Sequence, residues 1–233
     1  INATISNEIK EDQTNILVGI KGSDGYVDKH VSKNYTLKTS GLYDKLDSYL
    51  LASDNGTITV LGKDTDAAFY GITSLYHIFN QMDSYSIRNF VMEDYADVAS
   101  RGFIEGYYGN PWSTEDRSEL MKWGGYYKLN SYFYAPKDDP KHNSKWRELY
   151  SDEEIETKIK PLAQAGNESK CRFVFALHPY MNNAIRYNSE ENYQADLKVM
   201  QAKFAQVIEA GVRQIAILAD DAGNVGGDNY IKT

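Results

Sequence analysis

Apolar and polar positions divide the chain into two rhythms. In the first part, NILVGI (15–20) reads as a buried strand and is followed by the turn-rich KGSDGY. In LYDKLDSYLLAS the apolar residues Leu42, Leu46, Tyr49 and Leu50 recur at helical spacing, which predicts a helix over 42–53. DNG then marks a turn, and TITVLG (57–62) is a β-branched strand. DAAFYGITSLYHIFNQM predicts a helix with Ala68, Ile72, Leu75, Tyr76 and Phe79 on one stripe. SIRNFVMEDY closes this part as a further strand. The alternation predicts a small α/β domain over residues 1–97.

The second rhythm occupies residues 98–233. SRGFIEGYYG is a strand ending in glycines, and NPW is a turn. STEDRSELMKWGGYYK opens with Ser113 and has Asp116 three residues on, a helix start resembling a capping box. LNSYFYAPKDDP is a strand that runs into a proline and a charged loop. SDEEIETKIKPLAQAGNESK has the acidic first turn that a helix N-terminus prefers. It carries Ile155, Ile159, Leu162 and Ala163 on one face, and Pro161 should kink or divide it. CRFVFALHP is a continuous apolar strand. A long helix follows, with Leu197, Met200, Phe204, Val207 and Ile208 on one side and Gly211 as its stop. VRQIAILADD is the last strand.

This is β-α-β-α-β-α-β with short links, which predicts a parallel sheet buried on both faces. Open doubly wound sheets and (β/α)₈ barrels share the pattern. Polar residues at the strand ends favour the barrel: Glu105 and Tyr108, Lys137 and Asp138, His178, and Asp220 and Asp221. Barrel active sites are built from such C-terminal ends. The predicted fold class is therefore α/β: a small α/β domain, then an incomplete (β/α)₈ TIM-type barrel contributing its first four strands. A whole barrel needs about 250 residues, more than Arg101 to Thr233 supplies. Half a barrel leaves an open edge and uncovered apolar surface, so the chain alone is expected to be inactive or nearly so.

Composition narrows the function. Among 233 residues the hydrophobic share is 42% and the charged share 25%, an ordinary globular mix. No apolar run approaches the ~18 residues of a membrane span. The opening INATISNEIKEDQ is polar and has no apolar leader segment; a secreted chain with its leader removed and an excised fragment would both look like this. A net charge of −8 argues against nucleic-acid partners, which require clustered Lys and Arg. The one cysteine, Cys171, heads an apolar run and reads as a buried, inert thiol. Tyrosine is abundant at 19 residues, against Phe 8 and Trp 3; it suits sugar-binding surfaces, but composition alone favours the plainer reading that it replaces Phe in half-buried positions. His77, beside an apolar stripe, reads as a packed structural histidine. No His or Cys cluster has metal-ligand spacing, so neither a metal nor a cofactor is expected.

Asp220 and Asp221 are the first candidates for chemistry. Neighbouring carboxylates repel, and one of a pair tends to keep its proton near neutral pH, which puts an acid and an anion in one place. Helix capping or plain solvation is the alternative. Lys137 can hydrogen-bond a neutral polar substrate, or pair with Asp138 and Asp139 at the surface. Gly106 and Gly109 either let a ligand approach the backbone or form a tight turn. His178 serves as a base or as a strand-end structural residue. Dinucleotide, phosphate-loop and nucleophile-elbow spacings are absent.

Taken together, RGFIEGYYGNPWSTEDR, YAPKDDPKHNSKWRELY and ILADD closely resemble glycoside hydrolase family 84, which contains the O-GlcNAcases and bacterial enzymes called hyaluronidases. The resemblance is dense from Ser100 to Asp221, and the preceding unit looks like the accessory domain of such enzymes. It implies a β-N-acetylglucosaminidase with a retaining, substrate-assisted mechanism that passes through an oxazoline, an exception to the two-carboxylate scheme. By similarity, Asp220 orients and polarises the acetamido N–H, and Asp221 is general acid and then base. Gly106 (through its backbone) and Lys137 match family positions that contact sugar hydroxyls, and Tyr108 lies by the same pocket. Three departures lie near the rim: Tyr107 where Phe is usual, LHPY where Ser-Pro-Gly is common, and DDAGN after the aspartates. They leave glycoprotein, glycan and hyaluronan all open as substrates. The implied partner is a carbohydrate bearing β-linked N-acetylglucosamine, and the implied location is extracellular or on the cell surface. A non-catalytic glycan-binding module that keeps the pocket is the alternative, and an unrelated barrel enzyme using Lys137 with the aspartates is a third reading.

Overall fold

The structure is a computed structural model that describes residues 3–181, 183–220, 222 and 227–232. It forms two compact units, Ile1–Ala99 and Ser100–Thr233.

The first unit is a four-stranded mixed sheet in the order β1-β3-β2-β4, made of β1 (Asn15–Ile20), β2 (Leu46–Asp54), β3 (Thr57–Gly62) and β4 (Phe90–Ala96). Helices α1 (Tyr26–Asn34) and α2 (Thr65–Asn80) belong to it. β1 runs parallel to β3, and β2 is antiparallel to both β3 and β4. The helix expected over 42–53 is therefore a 3₁₀ turn (Leu42–Asp44) followed by β2. β2 is central and covered on both faces, so Leu50, Leu51 and Ala52 are all fully buried. A short run buried on both sides lacks the alternation that separates strand from helix. Two residues in the left-handed region, Asn55 (φ 46°) and Gly56 (φ 80°), make the tight β2–β3 hairpin.

Asp64 caps α2, accepting from Asp66 N and Ala67 N. The buried stripe of α2 is rotated from the expected one. Ala67, Ala68, Gly71 and Leu75 are buried, whereas Ile72 and Tyr76 are exposed. Gly71 sets the rotation, since a Cβ there would press on Val60 Cγ1 and the Tyr49 ring.

The second unit is a four-stranded sheet of β5 (Gly102–Glu105), β6 (Ser131–Tyr134), β7 (Arg172–Leu177) and β8 (Gln214–Ile217), in sequential order and wholly parallel. Helices α3 (Thr114–Tyr126), α4 (Asp152–Glu154), α5 (Lys160–Ser169), α6 (Glu190–Glu209) and α7 (Gly227–Lys232) alternate with the strands. Ser113 caps α3 through Asp116 N, and Ser151 with Glu154 forms a capping box on α4. Between α4 and α5 lies a π-helical turn (Ile155–Ile159), placed just before Pro161. The wider turn accommodates a residue with no N–H to donate, so the helix is divided rather than ended.

The core of this unit joins Tyr132, Tyr134, Phe173, Phe175 and Leu177 from the sheet to Met121, Leu162, Met200 and Val207 from the helices. On α6 the expected face holds at Met200 and Val207, but Ile208 is exposed. Tyr193, Asp196 and Lys203 are buried there instead. The links beyond the C-terminal ends of β6 and β7 are not short. Residues 135–151 form one long loop, and the described residues 178–181 and 183–189 belong to another; Trp146, His142, Tyr180 and Ile185 are buried there. Among the described residues no helix is long and apolar enough to cross a membrane.

Candidate active site

Strand alternation sorts the expected residues between two faces. Glu105, which stood among the strand-end groups with possible chemistry, points into the helix layer. It is 1% exposed and takes a bidentate pair of bonds from Arg117 of α3, at 2.8 and 2.7 Å. The Tyr132 hydroxyl also donates to it. Glu105 thus anchors the segment that leads to Gly106, and it is not free for chemistry.

Gly106 and Gly109 differ. Gly109 has φ 118°, a conformation that favours glycine whatever surrounds it. At Gly106 no positive φ is found, and a Cβ would meet only Ile104 Cγ2 at 3.6 Å. The chain's own packing does not demand a glycine there, so the space above it is open to a ligand. Tyr108 is 73% exposed on the same segment, and Tyr107 packs against Trp112 with ring centroids 5.1 Å apart. A bond from Lys137 N to Tyr107 O (3.4 Å) ties this segment to the end of β6.

Lys137 does not pair with Asp138 or Asp139. Asp139 is buried and bound by Lys158 and by the Tyr134 and Tyr150 hydroxyls. The Lys137 ammonium instead reaches Asp220 Oδ2 at 3.1 Å, with its side chain only 7% exposed. His178, at the end of β7, is fully buried. Its Nε2 lies 2.8 Å from Asp220 Oδ1 and 2.5 Å from the Asp220 carbonyl oxygen. Three strand ends therefore converge on one carboxylate. Burial by itself would raise the Asp220 pKa, but the hydrogen bond and charge of Lys137, together with His178, hold it below the ordinary carboxylate value. Asp220 is an anion at neutral pH. Asp221 lies outside the described residues.

The loops set this geometry. His178 N donates to His142 O at 2.9 Å, and His142 Nδ1 lies 2.6 Å from Ala176 O. Trp146 Nε1 donates to Asn183 O, and Arg147 donates to Asn183 O, to Ala184 O and to both oxygens of Asp196. The two loops are thereby stitched together beside Lys137 and His178. Sequence reasoning left His178 undecided and did not single out Arg147 or Asp196, whose partners lie far along the chain. Among the described residues there is no group of three or more His, Cys, Asp or Glu placed to hold a metal ion.

Comparison with known proteins places this chain in a family. The family model NAGidase, beta-N-acetylglucosaminidase, matches residues 101–229. The protein O-GlcNAcases of Rattus norvegicus and Mus musculus are each 38% identical over 120 residues, covering 52% of this chain and 12% of the relative. The chain thus spans about an eighth of the length of these relatives. The solved structure of CpGH84D superposes with a TM-score of 0.90 at 47% identity, over 97% of this chain and 38% of that one. That of CpGH84B gives 0.76 at 34% identity, over 88% and 34%. Because the family model accounts for more than half of the chain and the matched structures agree with it, the protein belongs to glycoside hydrolase family 84, the NAGidase family.

Proposed function

We propose that this chain carries the first half of a retaining, substrate-assisted β-N-acetylglucosaminidase site. The observation that carries the reading is the Asp220 carboxylate, held as an anion by Lys137 and His178 beyond the ends of parallel strands. The strand order also supports a barrel. Doubly wound sheets reverse their order at a switch point, whereas β5 to β8 run strictly in sequence.

In the proposed reaction the substrate's acetamido oxygen attacks the anomeric carbon while the bond to the leaving oxygen breaks. Asp220 accepts the acetamido N–H and stabilises the positive charge that develops on the oxazolinium. Asp221, by family resemblance, gives its proton to the leaving oxygen. It then takes a proton from the water that opens the oxazoline, with net retention. Lys137 and the Gly106 backbone bind sugar hydroxyls, and Tyr108 flanks the pocket.

The test uses the full-length natural protein and chromogenic β-N-acetylglucosaminides. Asp221→Asn should lower turnover by roughly 10²–10⁴-fold on poor leaving groups, and by much less on activated ones. Equal losses on both would overturn the acid assignment. Specific binding with no turnover in the wild type would favour a glycan-binding module instead.

A further inference from the structure

We propose that His178 is a positioning residue for this reaction: its Nε2–H locks the Asp220 carboxylate in the orientation that receives the substrate's acetamido N–H. The inference rests on the proposed role of Asp220.

The hydrogen position follows from the partners. Nε2 faces the Asp220 carbonyl oxygen at 2.5 Å and Oδ1 at 2.8 Å. A carbonyl accepts only, and so does an ionised carboxylate. The shared proton therefore sits on Nε2. One N–H spans the main chain and the side chain of the same residue, which fixes the carboxylate against its own backbone.

Asp220 needs such a fix. Its side chain is 56% exposed just beyond β8, where an unpinned carboxylate would populate several rotamers. Lys137 holds the other oxygen, Oδ2, through a flexible four-carbon stem. The imidazole is the rigid member of the pair. It is fully buried, its backbone N–H is held by His142 O, and its ring meets the His142 ring edge-on at 6.4 Å. Each carboxylate oxygen keeps a second lone pair, so one remains for an incoming N–H while both pins stay in place. Displacements of about 1 Å near a reacting centre can cost about 10²-fold in rate.

The experiment uses the full-length protein with three variants. His178→Phe keeps the ring volume and removes the donor. His178→Gln places an N–H at the reach of Nε2, and His178→Asn falls short of it. His178→Phe and His178→Asn should lose roughly 10- to 100-fold in kcat, with KM within about twofold, while His178→Gln recovers most of the rate. Affinity for a 2-acetamido iminosugar should fall about tenfold in the Phe and Asn variants, and affinity for its 2-hydroxy counterpart should not change. Equal weakening of both ligands, or equal behaviour of the Gln and Asn variants, overturns the proposal. Should His178→Phe not fold, the Gln–Asn pair decides alone. Asp220→Asn separates the two ideas. If it leaves 2-acetamido binding intact, the role of Asp220 itself fails. If it abolishes that binding and His178→Asn leaves it unchanged, only the role of His178 fails.

Discussion

Asp196 shows how a buried charge is made tolerable in this protein. It is fully buried on α6 and accepts from Arg147 Nε and Nη2, and from Arg186 N, Nε and Nη2. Burial would raise its pKa, but the two guanidinium groups outweigh burial and hold it far below the ordinary value of 3.8. A lowered carboxylate stabilises the fold fully above pH 3.8 and loses that contribution as pH falls toward the depressed value. Asp196→Asn should therefore cost about 2–3 kcal/mol at neutral pH, the scale of hydrogen bonds to a charged group. The gap between variant and wild type, read by urea unfolding, should close as pH drops below 3.8. A pH-independent gap would mean that the ion pairs are not its source. The tyrosines follow the same logic. Tyr132, Tyr134 and Tyr150 are buried and donate to Glu105 or Asp139. Their abundance, read from composition, matched replacement of Phe; their hydroxyls satisfy the buried carboxylates. Cys171 is buried, and burial pushes its thiol up to about 11, as expected of an inert cysteine.

At the scale of elements, a helix cap is a local device: the Ser113–Asp116 spacing predicts the start of α3, and Ser113 holds Asp116 N there, while Asp64, Ser151 and Ser189, which the sequence reading did not single out, hold nearby backbone N–H groups in the same way. The strand β2 was not legible. Its apolar run is set by neighbours on both faces, and its residues carry no mark of which sheet will cover them. Helix α1 passed unnoticed because only Asp28 and Val31 of its nine residues are buried, too few to make a periodic stripe. Close approach of elements is also written weakly in sequence. Gly125 of α3 lies against the Ser169 carbonyl at the end of α5, so closely that an added Cβ would overlap the oxygen. Alanine favours a helix interior by about 1 kcal/mol over glycine. Here overpacking against backbone should win, with a net cost of about 1–3 kcal/mol for Gly125→Ala. Chemical denaturation of the variant checks this, and a net gain in stability would show that the helices separate freely.

At the scale of the molecule, β8 ends the parallel sheet among the described strands. Ile215 and Ile217 are 45% and 42% exposed there, and Ile104 on β5 is 70% exposed. This chain also spans only 38% of the CpGH84D chain it superposes on. On the proposed half-site, the 233-residue chain alone should turn over N-acetylglucosaminides at less than about a hundredth of the full-length rate, because the proposal assigns it only part of the binding and positioning surface. Comparable turnover by the two would refute the half-site reading. The strand–helix alternation of the second unit, its caps and its strand-end polar groups were determined by the sequence itself, since each depends on periodicity or on near neighbours. Tertiary structure alone decided that Glu105 belongs to Arg117, that Lys137 leaves Asp138 and Asp139 for Asp220, and that His178 grips the same carboxylate. The first pairing joins a strand end to helix α3 and the other two join different strand ends; only the packing of helix on sheet, the register of the parallel strands and the packing of their loops bring these groups within hydrogen-bond reach.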